Sequence, residues 1–305
     1  MAPPGATGRQ DPLALLDLLG LDRKFVFEPT ALSADSAVER GLAAVGGYAF
    51  PSVDYPGACV SFLADTNRTT AVGYYLIDPN SPYKSTAFTF KGGVYRAMTV
   101  PNSTESTGTG INTAGTIVGT YDDTAGKRRG FRNARSTFTD IGFPHATDTQ
   151  AIGINDTGKI VGTYADAHNS YHGFLYSGGT YTTIDFPRAE GTMLTGINAH
   201  YGIVGGYSDA NGAHGFVCRA GVFTPIDFPL AKDTVTWGMN DAGDVAGYYS
   251  NADGVGHGFV LAGGVFSTVD VAGARGTQLT RIKNSGQVTG VCFDVLNGVH
   301  GVVGQ

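Results

Sequence analysis

Charge is scarce in this chain. Only 15% of its 305 residues are Asp, Glu, Lys or Arg, against about 25% in an average domain. The formal net charge is −6, and no basic run exceeds Lys127-Arg128-Arg129. Proteins that track a phosphate backbone need clustered cations, so nucleic acid is not an expected partner. Cysteine is rare as well. Cys59, Cys218 and Cys292 cannot all pair and none lies in a CxxC, so buried thiols are expected rather than a disulfide framework or a thiolate metal site. No stretch approaches the roughly eighteen apolar residues of a membrane-spanning helix, and the N-terminus lacks the basic and apolar regions of a secretory signal. The expectation is a soluble protein, cytoplasmic as written and secreted if a leader was removed. GxSxG, HExxH, P-loop and Rossmann signatures are absent too, so no cofactor is expected.

Glycine is what the chain has in excess: 46 positions, roughly twice the usual share. With 15 Tyr, 17 Phe and many Thr and Val, the composition reads as all-β with many tight turns. The glycines are periodic. Gly153-Ile154-Asn155-Asp156-Thr157-Gly158 leads into Ile160-Val161-Gly162-Thr163-Tyr164, and the same pattern returns from Gly110, Gly196 and Gly238. The Val-Gly step marks the register at Gly73, Gly119, Gly162, Gly205, Gly247 and Gly290, at intervals of 42 to 46 residues. Each unit holds four strand candidates joined by Asn-Asp-x-Gly and Ser-Gly-Gly hairpins. Four short antiparallel strands at this period are the mark of a propeller blade.

The two ends complete each other. The last unit stops after its third strand at Gln305, while residues 46–57 match the fourth strand of the preceding unit, residues 263–273, and so supply the missing one. The sequence therefore predicts an all-β, six-bladed propeller of residues 46–305, its last blade closed by an N-terminal strand. Residues 1–45 form a separate extension, with short helices expected at Pro12–Leu19 and Ala34–Ala44 and disorder at the start.

The unit Gly-Ile-Asn-Asp-x-Gly-x-Ile-Val-Gly-x-Tyr, followed by His-Gly-Phe-Leu-Tyr and Ile-Asp-Phe-Pro, resembles the HAF repeat, a motif named from extracellular repeat proteins. The resemblance covers about 85% of the chain. It implies the repeat and no particular chemistry. Lys283 at the Asn position, and the missing Gly-Ile-Asn near Leu63, depart from it.

Residues present in every blade read as architecture. His172, His214, His257 and His300 sit on third strands, too far apart around a ring to share a metal whose ligands lie near ~2.1 Å. Asp54, Asp185, Asp227 and Asp270 are expected to satisfy turn amides. No metal is expected. Function is sought where the repeat breaks, on the face carrying the long loops. Trp237 replaces Thr195 and Thr280 on an inner strand, Arg281 replaces Gly196 and Gly238, and Arg129 replaces the repeated histidine. Arg281 suits either an anionic ligand or an ion pair inside the ring. Gln150, Met193 and Gln278 are expected to line a pocket, Arg188 to bind ligand at its mouth, and His145 with Glu190 or Asp233 to supply acid–base chemistry.

Two functions fit. The preferred one is a cofactor-free lyase or cyclase, cycloaddition included, that holds a small organic molecule at the channel mouth with Arg281, His145, Glu190 and Asp233 as catalytic groups. The alternative is a non-catalytic module for a glycan, peptide or protein. A single closed propeller with no second domain tips the expectation to the enzyme. A monomer is expected.

Overall fold

The computed structural model describes residues 42–45, 48–78, 84–296 and 298–305. All regular structure among them is β, arranged as blades of four antiparallel strands. The six inner strands are Val60–Thr66, Ser103–Ile111, Asp148–Ile154, Gly191–Ile197, Asp233–Met239 and Gly276–Ile282, and define blades 1 to 6. Each inner strand touches the next, and the last returns to the first, so the ring is closed. One parallel bridge, Val299 to Val60, ties blade 6 to blade 1.

The last blade closes as the repeat predicts. Ala49 N donates to Gln305 O at 3.1 Å, Gln305 N to Ala49 O at 3.2 Å, and Val53 N to Gly301 O at 2.7 Å. Phe50, 1% exposed, enters the cluster of Ile282, Val288 and Val302, and a phenyl ring so buried stabilises by about 1.5–3 kcal/mol. The helix expected through Ala44 is corrected at its end: Leu42–Val45 is a strand paired with Tyr48–Phe50, because the open edge of the closing strand offers backbone partners that a short helix would forgo. Residues 1–41, with Pro12–Leu19 and the rest of Ala34–Ala44, lie outside the described residues.

The repeated residues make the blades and the seams between them. A side chain at the Val-Gly glycine of strand two would collide with the inner-strand carbonyl, that of Gln150 over Gly162 and of Met193 over Gly205. Inner and second strands are therefore in close backbone contact wherever this step recurs. Each His-Gly-Phe histidine meets the fourth-strand aspartate, Nδ1 to carboxylate, at 2.8 Å for His172–Asp185 and 3.0 Å for His300–Asp54. Gly173 N and Gly258 N donate to the same aspartates, Asp185 and Asp270; these amides belong to third strands, so the aspartates serve strand amides rather than the expected turn amides. Between blades, Phe143, Phe186 and Phe228 stack on Tyr164, Tyr207 and Tyr249 at 3.6–3.7 Å. Tyr55 does the same to Tyr75 at 3.7 Å.

The channel mouth and its pocket

All six inner strands carry a β-bulge at one place, at Ala64, Thr109, Ile152, Thr195, Trp237 and Thr280. A bulge re-aims the backbone. Here four of the bulged carbonyls converge on one side chain. The residues that follow the bulges are Asp65, Gly110, Gly153, Gly196, Gly238 and Arg281, so four blades bring glycine to the axis and two neighbouring blades bring opposite charges. Arg281 reaches across the ring. Its Nη1 donates to Trp237 O (3.0 Å) and Thr280 O (2.7 Å), and its Nη2 to Thr109 O (3.1 Å) and Ile152 O (2.9 Å). Its Nε lies 3.6 Å from Asp65 Oδ2. Asp65 also accepts from Ile111 N at 3.0 Å and from Lys283 Nζ. Burial depresses the Arg281 pKa, and Asp65 works against that fall.

On one side of this septum lies a wide polar funnel of about 640 Å³. Its wall is a chain of asparagines, each passing a hydrogen bond to the next blade: Asn112 Nδ2 to Asn155 O (3.2 Å), Asn155 to Asn198 O (3.0 Å) and Asn198 to Asn240 O (3.0 Å). Lys283, the odd residue in the repeat, ends the chain by binding Asp65 of blade 1.

The other side is divided. Over blades 3 to 5 the channel is packed by Ile152, Met193, Val235 and Tyr248, with Trp237 against them. Over blades 1 and 2 it opens into a pocket of about 100 Å³ that Arg281 floors. Phe62 and Tyr74 stack at 4.9 Å and 10° to form one wall, and Trp237, Gln150 and Gln278 face the cavity from other blades. Ser85 Oγ lines it too, buried and without a hydrogen-bond partner among the described residues. Arg128, also in the lining, pairs with Asp122 at 2.8 Å and Glu105 at 3.6 Å. Behind Arg128 and Gln150, burial raises the Asp148 carboxyl to about 6, with the Arg128 charge opposing the rise.

The structure gathers only part of the predicted set. Trp237, Gln150, Gln278 and Arg281 meet at the pocket. Met193 does not: it is fully buried in the packed half, behind Trp237, because the strand that carries it faces a filled part of the ring. Arg129 is not in the lining either. It pairs with Asp123 and Asp140, each at 3.1 Å, as His172 sits between Asp166 (3.7 Å) and Asp185 (2.8 Å). His145 and Arg188 hold left-handed turns after Pro144 and Pro187, φ 64° and 68°, as the exposed Leu230 does after Pro229 at φ 64°. Glu190 is exposed in the loop before blade 4. Asp233, expected as an acid–base group at the channel mouth, is buried, accepting from Ser250 Oγ at 2.9 Å and Ala213 N at 3.3 Å. Among the described residues no ion pair joins His145 to Glu190 or Asp233, and none of the three lines the pocket.

Phe62, Tyr74, Ser85, Glu105, Asp122 and Arg128 belong to the pocket but not to the predicted set. Blade 1 matches the repeat poorly, so nothing marked its residues as inward-facing. Asp65 stands at the Gly110 position by strand pairing, but the blade 1 hairpin is one residue shorter than the others, so counting back from the Val-Gly step lands on Ala64 and hides Asp65 as the partner of Arg281.

No family model matches the chain, and no curated protein matches it. Solved structures do. AofleA from Arthrobotrys oligospora superposes with a TM-score of 0.53 at 12% identity, over 87% of this chain and 84% of that one. The Aleuria aurantia lectin, described as a six-bladed β-propeller with a novel fucose recognition mode, gives 0.51 at 11%, over 84% and 97%. TolB from Acinetobacter baumannii gives 0.56 at 9%, over 78% of this chain and 64% of that one. At such identities the likeness establishes the six-bladed fold. Among the described residues no helix is long and apolar enough to cross a membrane.

Proposed function

We propose that this propeller is a carbohydrate-binding module whose site is the pocket between blades 1 and 2, rather than a lyase or cyclase. The observation that carries the reading is the stacked Phe62–Tyr74 wall facing the same cavity as the unpartnered Ser85 hydroxyl. A pyranose ring offers an apolar C–H face to aromatic rings and a rim of hydroxyls to neutral hydrogen-bonding groups. Gln150 and Gln278 carry such groups beside Trp237. The lectin character of the similar Aleuria aurantia propeller supports the same reading. The enzyme reading is weaker because His145, Glu190 and Asp233 stand outside the pocket, and Arg281 gives its donors to four carbonyls and Asp65.

Isothermal titration with methyl glycosides of fucose, galactose, mannose, glucose and N-acetylglucosamine tests it. At about 0.3 kcal/mol per heavy atom a monosaccharide binds in the millimolar range. Trp237→Ala is expected to weaken the best binder about tenfold, and Ser85→Ala by about threefold, the worth of one net hydrogen bond, with the far-ultraviolet spectrum unchanged. No binding by any glycoside at 10-fold the expected dissociation constant, or full binding by Trp237→Ala, removes this assignment.

A further inference from the structure

We infer that the mouth pocket is a blind, single-copy site that admits the terminal unit of a glycan and excludes an internal one. The inference rests on the saccharide reading and adds to it the shape of the ligand. A propeller channel ordinarily runs between its two faces, and a chain-like ligand could thread or lie across it. Here Arg281 and Asp65 stand between the pocket and the funnel. The guanidinium is held by carbonyls of blades 2, 3, 5 and 6 and by the carboxylate of blade 1. On the remaining side the ring is shut by its own backbone: a Cβ on Gly196 would lie 2.9 Å from Trp237 O, and one on Gly153 would lie 2.9 Å from Thr195 O. What enters the pocket has no exit through the axis.

Nor is there room to pass sideways over the channel. The positions equivalent to Phe62 in blades 4 and 5 are Met193 and Val235, fully buried with Tyr248 in the packed half. Tyr248 takes the place held by Thr163 in blade 3 and Gly206 in blade 4, and its ring fills what those residues leave open. The cavity of about 100 Å³ is closed below by the septum and behind by this cluster. One ring fits, and the rest of a glycan must leave by the mouth. Because the pocket depends on Ser85, Arg128 and the pairing of Phe62 with Tyr74, a combination the other blades do not repeat (in blade 5 Tyr248 at the Tyr74 position faces Val235), it occurs once among the described residues.

The test uses the whole protein. Calorimetry with the best methyl glycoside, methyl α-L-fucoside included in the panel, gives the stoichiometry, expected near one per chain. Two disaccharides follow: one with the preferred unit at its non-reducing end, the other with that unit substituted by a second sugar. The first is expected within about threefold of the monosaccharide and the second at least about tenfold weaker. Equal affinity for the two disaccharides, or several sites per chain, overturns the inference while leaving saccharide binding intact. Binding of no sugar at all overturns both, a separate outcome. The double variant Arg281→Gly with Asp65→Gly restores the repeat's axial glycine, opens the floor, and is expected to shrink the discrimination between the two disaccharides. Should it not fold, the wild-type comparison decides alone.

Discussion

Blades 3 to 5 and blades 6, 1 and 2 are built from the same unit and do different things. In blades 3 to 5 the axial residue is glycine, the Asn chain is unbroken, and the channel above is filled by Ile152, Met193, Val235 and Tyr248. In the other half the axis carries Arg281 and Asp65, Lys283 ends the Asn chain, and a cavity opens beside Arg128. A closed ring of identical units would be tightly packed everywhere and would have no distinguished place. The breaks supply one. They also add cost, since buried ions stabilise only when well paired: Arg281, Asp65 and Lys283 find partners in one another, while burial still raises the Asp148 carboxyl.

The largest effect should come from the seam. Phe50→Ala in the closing strand is expected to cost about 3–5 kcal/mol, as much as Phe174→Ala inside a regular blade. Urea unfolding measures both, and a loss below about 1 kcal/mol for Phe50 would show that closure contributes little. Next, Arg281→Ala leaves Asp65 with Lys283 as its remaining cation and four inward carbonyls without this donor, a loss of about 3 kcal/mol or more. Gly196→Ala in the regular half strains the backbone against Trp237 O and should cost about 1–3 kcal/mol. If Arg281→Ala is the milder of the two, the septum is not what holds the axis.

Asp148 gives a pH signature to the pocket half. Its carboxyl titrates near 6 in the folded chain, above its ordinary 3.8. The folded state therefore holds the proton longer than the unfolded one, so stability falls as pH rises from about 4 to 6 and the penalty is complete above that. Asp148→Asn should flatten this slope and gain up to about 3 kcal/mol at pH 7, with no gain at pH 4, read from denaturation midpoints across pH. The smallest effects belong to the repeated pairs. His172→Ala should cost about 1 kcal/mol or less and lower the melting temperature without touching ligand binding. The His300 pKa is raised, chiefly by its hydrogen bond to Asp54. Its contribution is fully present below pH 6.5 and fades as pH rises through the elevated value, so His300→Ala should matter least in alkaline buffer.

Much of this architecture was legible from single residues. The Val-Gly step located six blades because close backbone contact forbids a side chain there, and such a constraint leaves a visible mark at Gly73 through Gly290. Asp54 was recognisable as a fourth-strand residue from its resemblance to Asp270, although its histidine lies 246 positions away. Trp237 stood out because it interrupts a pattern, and Gln150 and Gln278 because they lie on inner strands. Met193 was misplaced for a related reason: sequence identifies an inward position but not whether that part of the channel is full. Ser85 carried no signal, since a serine outside the repeat becomes notable only when burial leaves its hydroxyl without a partner.

The sequence by itself determined the propeller, its blade count, its closure and the architectural nature of the repeated glycine, aspartate and histidine. Those features are local and periodic, and each repetition restates the same short-range requirement. Only the tertiary structure decided which half of the channel is packed and which is open, and that Arg281 closes the axis. Both depend on side chains from four or five blades meeting at one point, and no spacing along the chain records that meeting.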